Sequence, residues 1–209
     1  MNWPSGQIRL RKRLRPNGSP RRTSYTSTVA ETSGSLIKRY IEDAIAAEKS
    51  FETRLRGFAE EGDDAEVQAA FLTHAEETRV HHERLAARLQ TLGGTTSAVK
   101  SFLDQLFSFT PKSTQIGRSQ EEQLVQNLIV AFAVEKSECA MYEALATAAV
   151  AAGDAVTEEL ARGIQAQESE TADKLWRFIP SRSKIAFNLL TAGEIDPAIE
   201  TKAPDDRVI

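Results

Sequence analysis

In four separate stretches of this chain, glutamate and histidine recur among apolar residues at steps of three and four. The series Ile41, Ala44, Glu48, Phe51, Leu55 holds one carboxylate, and Val67, Phe71, His74, Glu77, His81, Leu85 holds a carboxylate and two imidazoles. Leu128, Ala131, Glu135, Glu138, Tyr142, Leu145 holds a carboxylate pair; Leu160, Ile164, Glu168, Thr171, Leu175 holds one more. Such steps trace one face of an α-helix, so each series predicts ionisable side chains on the face that its apolar residues bury. An ionised carboxylate left unpaired in a dry core costs several kcal/mol, which is comparable to the net stability of a domain. Hard cations held by oxygens and imidazole remove that cost, because two of them neutralise four or five glutamates at once. The candidate ligands are therefore Glu48, Glu77, Glu135, Glu138 and Glu168, with His81 the first choice of nitrogen donor and His74 the reserve. Iron or manganese suits a dinuclear centre with bridging carboxylates and ions roughly 3.5–4 Å apart; zinc is a third option. The competing reading pairs these glutamates with Arg79, Lys136 or Lys174, or turns them to water through a helical phase one residue off. Cys139, Met141 and Tyr142 read most simply as core packing.

The elements that must position these residues are four helices. The first is predicted over about 36–59 along Ile37, Ile41, Ala44, Phe51, Leu55 and Phe58, and Gly62-Asp63-Asp64 ends it and caps the next. The second, about 65–92, stops at Gly93-Gly94. Residues 95–119 form a long crossover carrying a short amphipathic helix with Val99, Phe102, Leu103, Leu106 and Phe107. Ser119 with Glu122 makes a capping box opening a third helix, about 121–152, and Gly153-Asp154 separates it from a fourth. That helix, about 155–178, runs along Val156, Leu160, Ile164, Leu175 and Phe178 and is ended by Pro180, with a further short helix near 183–191. Short, long, short is the connection pattern of an all-α, ferritin-like four-helix bundle with one crossover between helices two and three. Antiparallel helices share a midplane, and the candidate ligands stand near the middle of each, so all five carboxylates fall in one layer.

With 209 residues, 41% of them hydrophobic, the chain suits one domain with tails. The boundaries predicted are a disordered basic arm over 1–34, the bundle over 35–179, and a short helix with a polar tail over 180–209. No GxGxxG, GxxxxGK[ST] or GxSxG occurs, which removes the anchors of dinucleotide, P-loop and serine-hydrolase readings. The single cysteine, Cys139, forms no internal disulfide and points to a reducing, cytoplasmic setting. Apolar runs fall short of a membrane span. The net charge of −4 divides unevenly: residues 1–30 carry Arg9, Arg11, Lys12, Arg13, Arg15, Arg21 and Arg22 without an acid, +7 against −11 for the remainder. That arm suits nonspecific contact with nucleic-acid phosphates; a transit peptide and a solvated tail are the competing readings.

The runs Ala47-Glu48-Lys49, His74-Ala75-Glu76-Glu77-Thr78 with Glu83-Arg84-Leu85, Val134-Glu135-Lys136-Ser137-Glu138 with Tyr142, and Glu168 with Ala172-Asp173-Lys174-Leu175 together resemble the YciE/YciF-type ferritin-like stress-protein family. The resemblance covers about 36–179 and implies a ferritin-like bundle, often a homodimer, with a dinuclear metal layer. The sequence departs from the wider ferritin and rubrerythrin pattern, in which helices two and four each carry a Glu followed three residues later by a His: here those places hold Val80 and Thr171. The Glu135-x-x-Glu138 pair resembles the helix-three carboxylates of rubrerythrin. The leading functional expectation is a dinuclear iron or manganese centre in the bundle core, linked to oxidative or general stress; any catalysis would be that of a di-metal oxidoreductase acting on iron or peroxide. The alternative is a non-enzymatic helical dimer or interaction protein with a degenerate site. Comparison with DNA-protecting mini-ferritins, some with flexible basic tails, suggests nucleic acid as a partner of the arm, against the competing readings that it folds back on its own acidic bundle, on another subunit, or on nothing.

Overall fold

The computed structural model of the chain describes residues 32–95 and 118–192. Thr32, the first of them, is already a helix cap: its side chain accepts from the Ser35 backbone N–H and opens α1, Ser33–Glu61. The bundle thus begins slightly before the expected boundary at 34, because a capping threonine satisfies one of the free N–H groups of the first turn. Gly62 ends α1, and Asp64 caps α2, Ala65–Thr91, by accepting from Glu66 and Val67. The capping box of Ser119 and Glu122 opens α3, Gln120–Ala152. Gly153, at φ +72°, closes it in the left-handed conformation that glycine adopts without penalty. Asp154 then caps α4, Ala155–Thr191. The basic arm, the crossover helix with Val99 to Phe107, and the tail beyond 192 lie outside the described residues.

Helix directions follow from the core. Leu124 at the start of α3 packs with Phe58, Phe71 and Leu175, whereas Leu89 at the end of α2 packs with Ile41, Leu145 and Ile164. The chain therefore finishes α2 at one end of the bundle and begins α3 at the other, as a single long crossover requires. α1 packs on α2 and α3 on α4, the two hairpins join mainly through α1 and α3, and α2 meets α4 more loosely. Among the described residues all four elements are helical, and their order and pairing are those of the all-α ferritin-like bundle expected above.

Pro180 does not end the fourth helix. α4 continues through it to Thr191, so the separate C-terminal helix expected near 183–191 is the end of α4 itself. Proline inside a helix forfeits a hydrogen bond and crowds the preceding turn, at a cost of ~3 kcal/mol. The turn beyond is anchored instead: Arg182 binds Asp64 (Nε to Oδ2, 3.0 Å) and Glu66 (2.6 Å) of α2 while its guanidinium lies 5.1 Å from the Phe178 ring centroid. At the opposite end Arg88 of α2 reaches across to Asp154 (2.6 Å) and Thr157 (2.8 Å) of α4. The phase at the start of α4 also differs from expectation, since Val156 is exposed and Thr157 and Ala161 are buried in its place.

Candidate metal centre

The apolar core is divided into two clusters, one around Phe51, Phe71 and Leu128 and one around Ile41, Leu85 and Ile164. Among the other buried polar residues, Glu48, His74, Thr78, His81, Glu135, Glu138, Glu168 and Thr171 are each at most 5% exposed. All of them but Thr78 are members of the stripes that fall near mid-helix. All four helices contribute.

Helix α2 departs from the expected stripe. Thr78 is fully buried, while the side chain of Glu77 is 39% exposed. Between His74 and His81 the helix makes about two turns, and a step of four from His74 carries the buried face through Thr78 rather than Glu77. The buried layer therefore has four carboxylates, not five, and both histidines.

Inside the layer, imidazole and carboxylate converge. His81 Nδ1 stands 2.7 Å from Glu168 Oε1 and 3.6 Å from Glu48 Oε2. His74 Nε2 stands 2.5 Å from Glu135 Oε1 and 3.8 Å from Glu168 Oε2. Neither nitrogen makes a directed hydrogen bond, and neither do Glu48 Oε2 or any oxygen of Glu135, Glu138 and Glu168. Close donor atoms that do not point at one another are the arrangement of ligands around a shared centre. Two such groups exist among the described residues, Glu48–His81–Glu168 and His74–Glu135–Glu168, in each of which the ligand atoms lie within 4.8 Å of one another. Glu168 belongs to both, one oxygen in each.

The outer nitrogen of each imidazole is held from outside the layer. His74 Nδ1 lies 3.3 Å from Glu77 Oε2, and His81 Nε2 lies 3.1 Å from Gln167 Oε1. With the ring proton donated to these acceptors, the lone pair of the other nitrogen faces inward, as ligation requires. Gln167 was invisible to the periodicity argument because it sits on the exposed side of α4, beside the stripe. Glu48 has its own support, since the Tyr142 hydroxyl donates to Glu48 Oε1.

Burial pushes the carboxyl groups of Glu135 and Glu138 well above the usual range, and the neighbouring carboxylates add to it. Burial likewise raises Glu48 to about 6 against the pull of His81. Glu168 is lowered, because His81, Glu135 and His74 outweigh its burial. His81 is raised to about 9: its burial opposes the charge, but Glu168 and Glu48 favour it more strongly. None of the cations named as alternative partners joins the layer. Arg79 binds Glu76 and Glu83, Lys136 faces Asp173 and Lys174 faces Glu170. The donor set, carboxylate oxygens with one imidazole per group, fits hard or borderline divalent ions such as iron, manganese or zinc.

Solved structures share this bundle. A protein from Xanthomonas campestris pv. campestris aligns with a TM-score of 0.61 at 22% identity, covering 78% of this chain and 100% of its own. The Escherichia coli stress protein YciF gives 0.63 at 21% identity, covering 74% and 98%. A ferritin-like, diiron-carboxylate protein from Bacillus anthracis gives 0.57 at 17%, covering 71% and 99%. No curated protein matches the chain. The family described as a domain of unknown function, DUF892, matches residues 36–186, from the first turns of α1 past Pro180. Matching across the whole bundle, with YciF among its structural neighbours, the chain belongs to the DUF892 family, the YciE/YciF-type ferritin-like proteins that its sequence resembles.

Proposed function

We propose that this protein binds a dinuclear iron or manganese centre in the middle of its bundle and serves in oxidative or general stress. The observation that carries the reading is the pair of ligand groups sharing Glu168, with buried donor atoms that have no directed hydrogen bond. Glu48, His81 and one oxygen of Glu168 would hold one ion; His74, Glu135 and the other oxygen of Glu168 would hold the second. Glu138, fully buried with both oxygens unpartnered, completes the charge balance. When bound, such ions supply Lewis acidity and, for iron or manganese, electron transfer. The chain's own contribution is to aim the imidazoles through Glu77 and Gln167, to fix Glu48 through Tyr142, and to enclose the layer between two apolar clusters. The stress role is supported by the likeness to YciF, which is described as a stress protein.

Elemental analysis of the purified protein after loading with iron, manganese or zinc tests this. Close to two ions per chain are expected, falling by at least one in Glu168→Ala, which breaks both groups. Contents well below one ion for all three metals, unaffected by Glu168→Ala or Glu48→Ala, would overturn the reading.

A further inference from the structure

Among the described residues, the seams of the bundle are not equally closed at the depth of the buried layer. Between α1 and α2, His82 meets Glu52 at 3.1 Å and Arg56 reaches Glu76. Between α3 and α4, Gln165 Nε2 donates to the Cys139 carbonyl at 2.9 Å, and Arg162 pairs with Glu143. Between α1 and α3, Tyr142 and Glu48 are joined and fully buried. The α2–α4 seam differs: its arginine clamps, Arg88 to Asp154 and Arg182 to Asp64, stand at its two ends, and at the depth of the layer it is bridged by His81 Nε2 and Gln167 Oε1 at 3.1 Å rather than by an arginine.

Between those clamps lie two surface cavities. One, of about 230 Å³, is lined by His74, Glu77, Thr171 and Lys174 among others. The other, of about 170 Å³, is lined by His81, Gln167, Arg84 and again Glu77. Each cavity thus has as part of its wall one of the two imidazoles whose inner nitrogen is buried without a directed hydrogen bond. Glu77 borders both. The neighbouring Glu76 is drawn away by Arg79 at 2.6 Å; Lys174 on the opposite lip is paired with Glu170 at 3.1 Å and also draws on Glu77, which turns toward His74.

Building on the metal reading above, we propose that divalent cations reach the layer through the α2–α4 seam, with the half-exposed Glu77 carboxylate as the transit ligand that passes them to His74 and His81. A carboxylate at a narrow mouth raises the local cation concentration and thereby the rate of capture. Once the ion has moved inward, the same carboxylate remains the acceptor for the outer N–H of His74. Glu77 then governs how fast the site fills as well as how His74 is aimed, while the ions themselves rest on the buried residues.

The test compares metal-free full-length protein with Glu77→Gln and Glu77→Asp by stopped-flow mixing with Co²⁺, read by its visible absorption. Glutamine keeps an acceptor for His74 and removes only the charge. Loading of Glu77→Gln is expected to slow at least roughly tenfold, and Glu77→Asp to recover most of the rate. Added salt should slow the unaltered protein toward the glutamine variant. Equal rates for the unaltered chain and Glu77→Gln would overturn this inference while leaving the metal reading intact. Loss of one Co²⁺ per chain at saturating metal in Glu77→Gln, with the loading rate of the remaining ion unchanged, would overturn it by making Glu77 a permanent ligand. Failure of the unaltered protein to bind Co²⁺ would overturn the metal reading and this inference with it.

Discussion

Tyr142 of α3 donates its hydroxyl hydrogen to Glu48 Oε1 of α1, inside the buried layer and between the two hairpins. The bond leaves Glu48 with one oxygen, Oε2, facing His81. It therefore does two things at once, tying α1 to α3 and choosing which carboxylate oxygen serves the site. Tyr142→Phe keeps the ring and removes the donor. Metal-free protein should lose about 1–3 kcal/mol in urea unfolding, the cost of an unsatisfied buried acceptor. Metal affinity should fall by about 10–100-fold, the usual effect of losing an outer partner of a ligand.

Without metal, stability should decline as pH rises from about 5 to 9. Glu48, Glu135, Glu138 and His81 all have folded-state values above their unfolded ones. Each thus favours the folded state below its unfolded value and loses that contribution as pH climbs through the folded value, about 6 for Glu48 and about 9 for His81. Glu168 has the opposite sign, but its contribution is complete above the ordinary carboxylate range and stays constant across this window. Thermal melts of metal-free protein at pH 5, 7 and 9 should therefore show a falling Tm. Bound divalent metal should flatten the trend, and calorimetry in buffers of different ionisation enthalpy should show protons released on binding.

Glu138 is buried with both oxygens unpartnered. Glu138→Met, similar in length, should stabilise metal-free protein by about 1–3 kcal/mol, because it removes a buried polar group without a hydrogen-bond partner. The same variant should show a smaller rise in Tm on adding metal. A loss of stability in the metal-free variant would show that Glu138 has a structural partner in the layer.

Arg182 holds the part of α4 beyond Pro180 against Asp64 and Glu66. In Arg182→Ala, hydrogen exchange should quicken over residues 181–191 and stay unchanged around Ile164 and Leu175 in the core. Asp64 is lowered mainly by its bond to Arg182, so the contact should persist at neutral pH and weaken only in strong acid, as the carboxylate is protonated.

The bundle was legible because its signals are local. Asp64, Ser119, Gly153 and Asp154 mark helix ends through hydrogen bonds and φ values reached within a few residues, and apolar steps of three and four state which face is buried. Glu48, Glu135, Glu138 and Glu168 lie on those steps and are buried as the steps predict. Glu77 and Thr78 are adjacent and a step of either three or four from His74 is helical, so periodicity alone does not choose between them. Packing against the neighbouring helices chooses Thr78.

Pro180 shows the same division from the other side. Its local rule says that a helix ends, and a contact with Asp64, more than a hundred residues earlier in the chain, overrides it. Gln167 as the partner of His81, Tyr142 as the partner of Glu48, and Glu168 as the carboxylate common to both ligand groups are likewise relations between helices. The sequence by itself determined which residue types occupy the buried face of each helix, since that depends on a repeat within one element. Which atoms meet across the layer depends on the rotation and depth of one helix against another, and only the tertiary structure decided that.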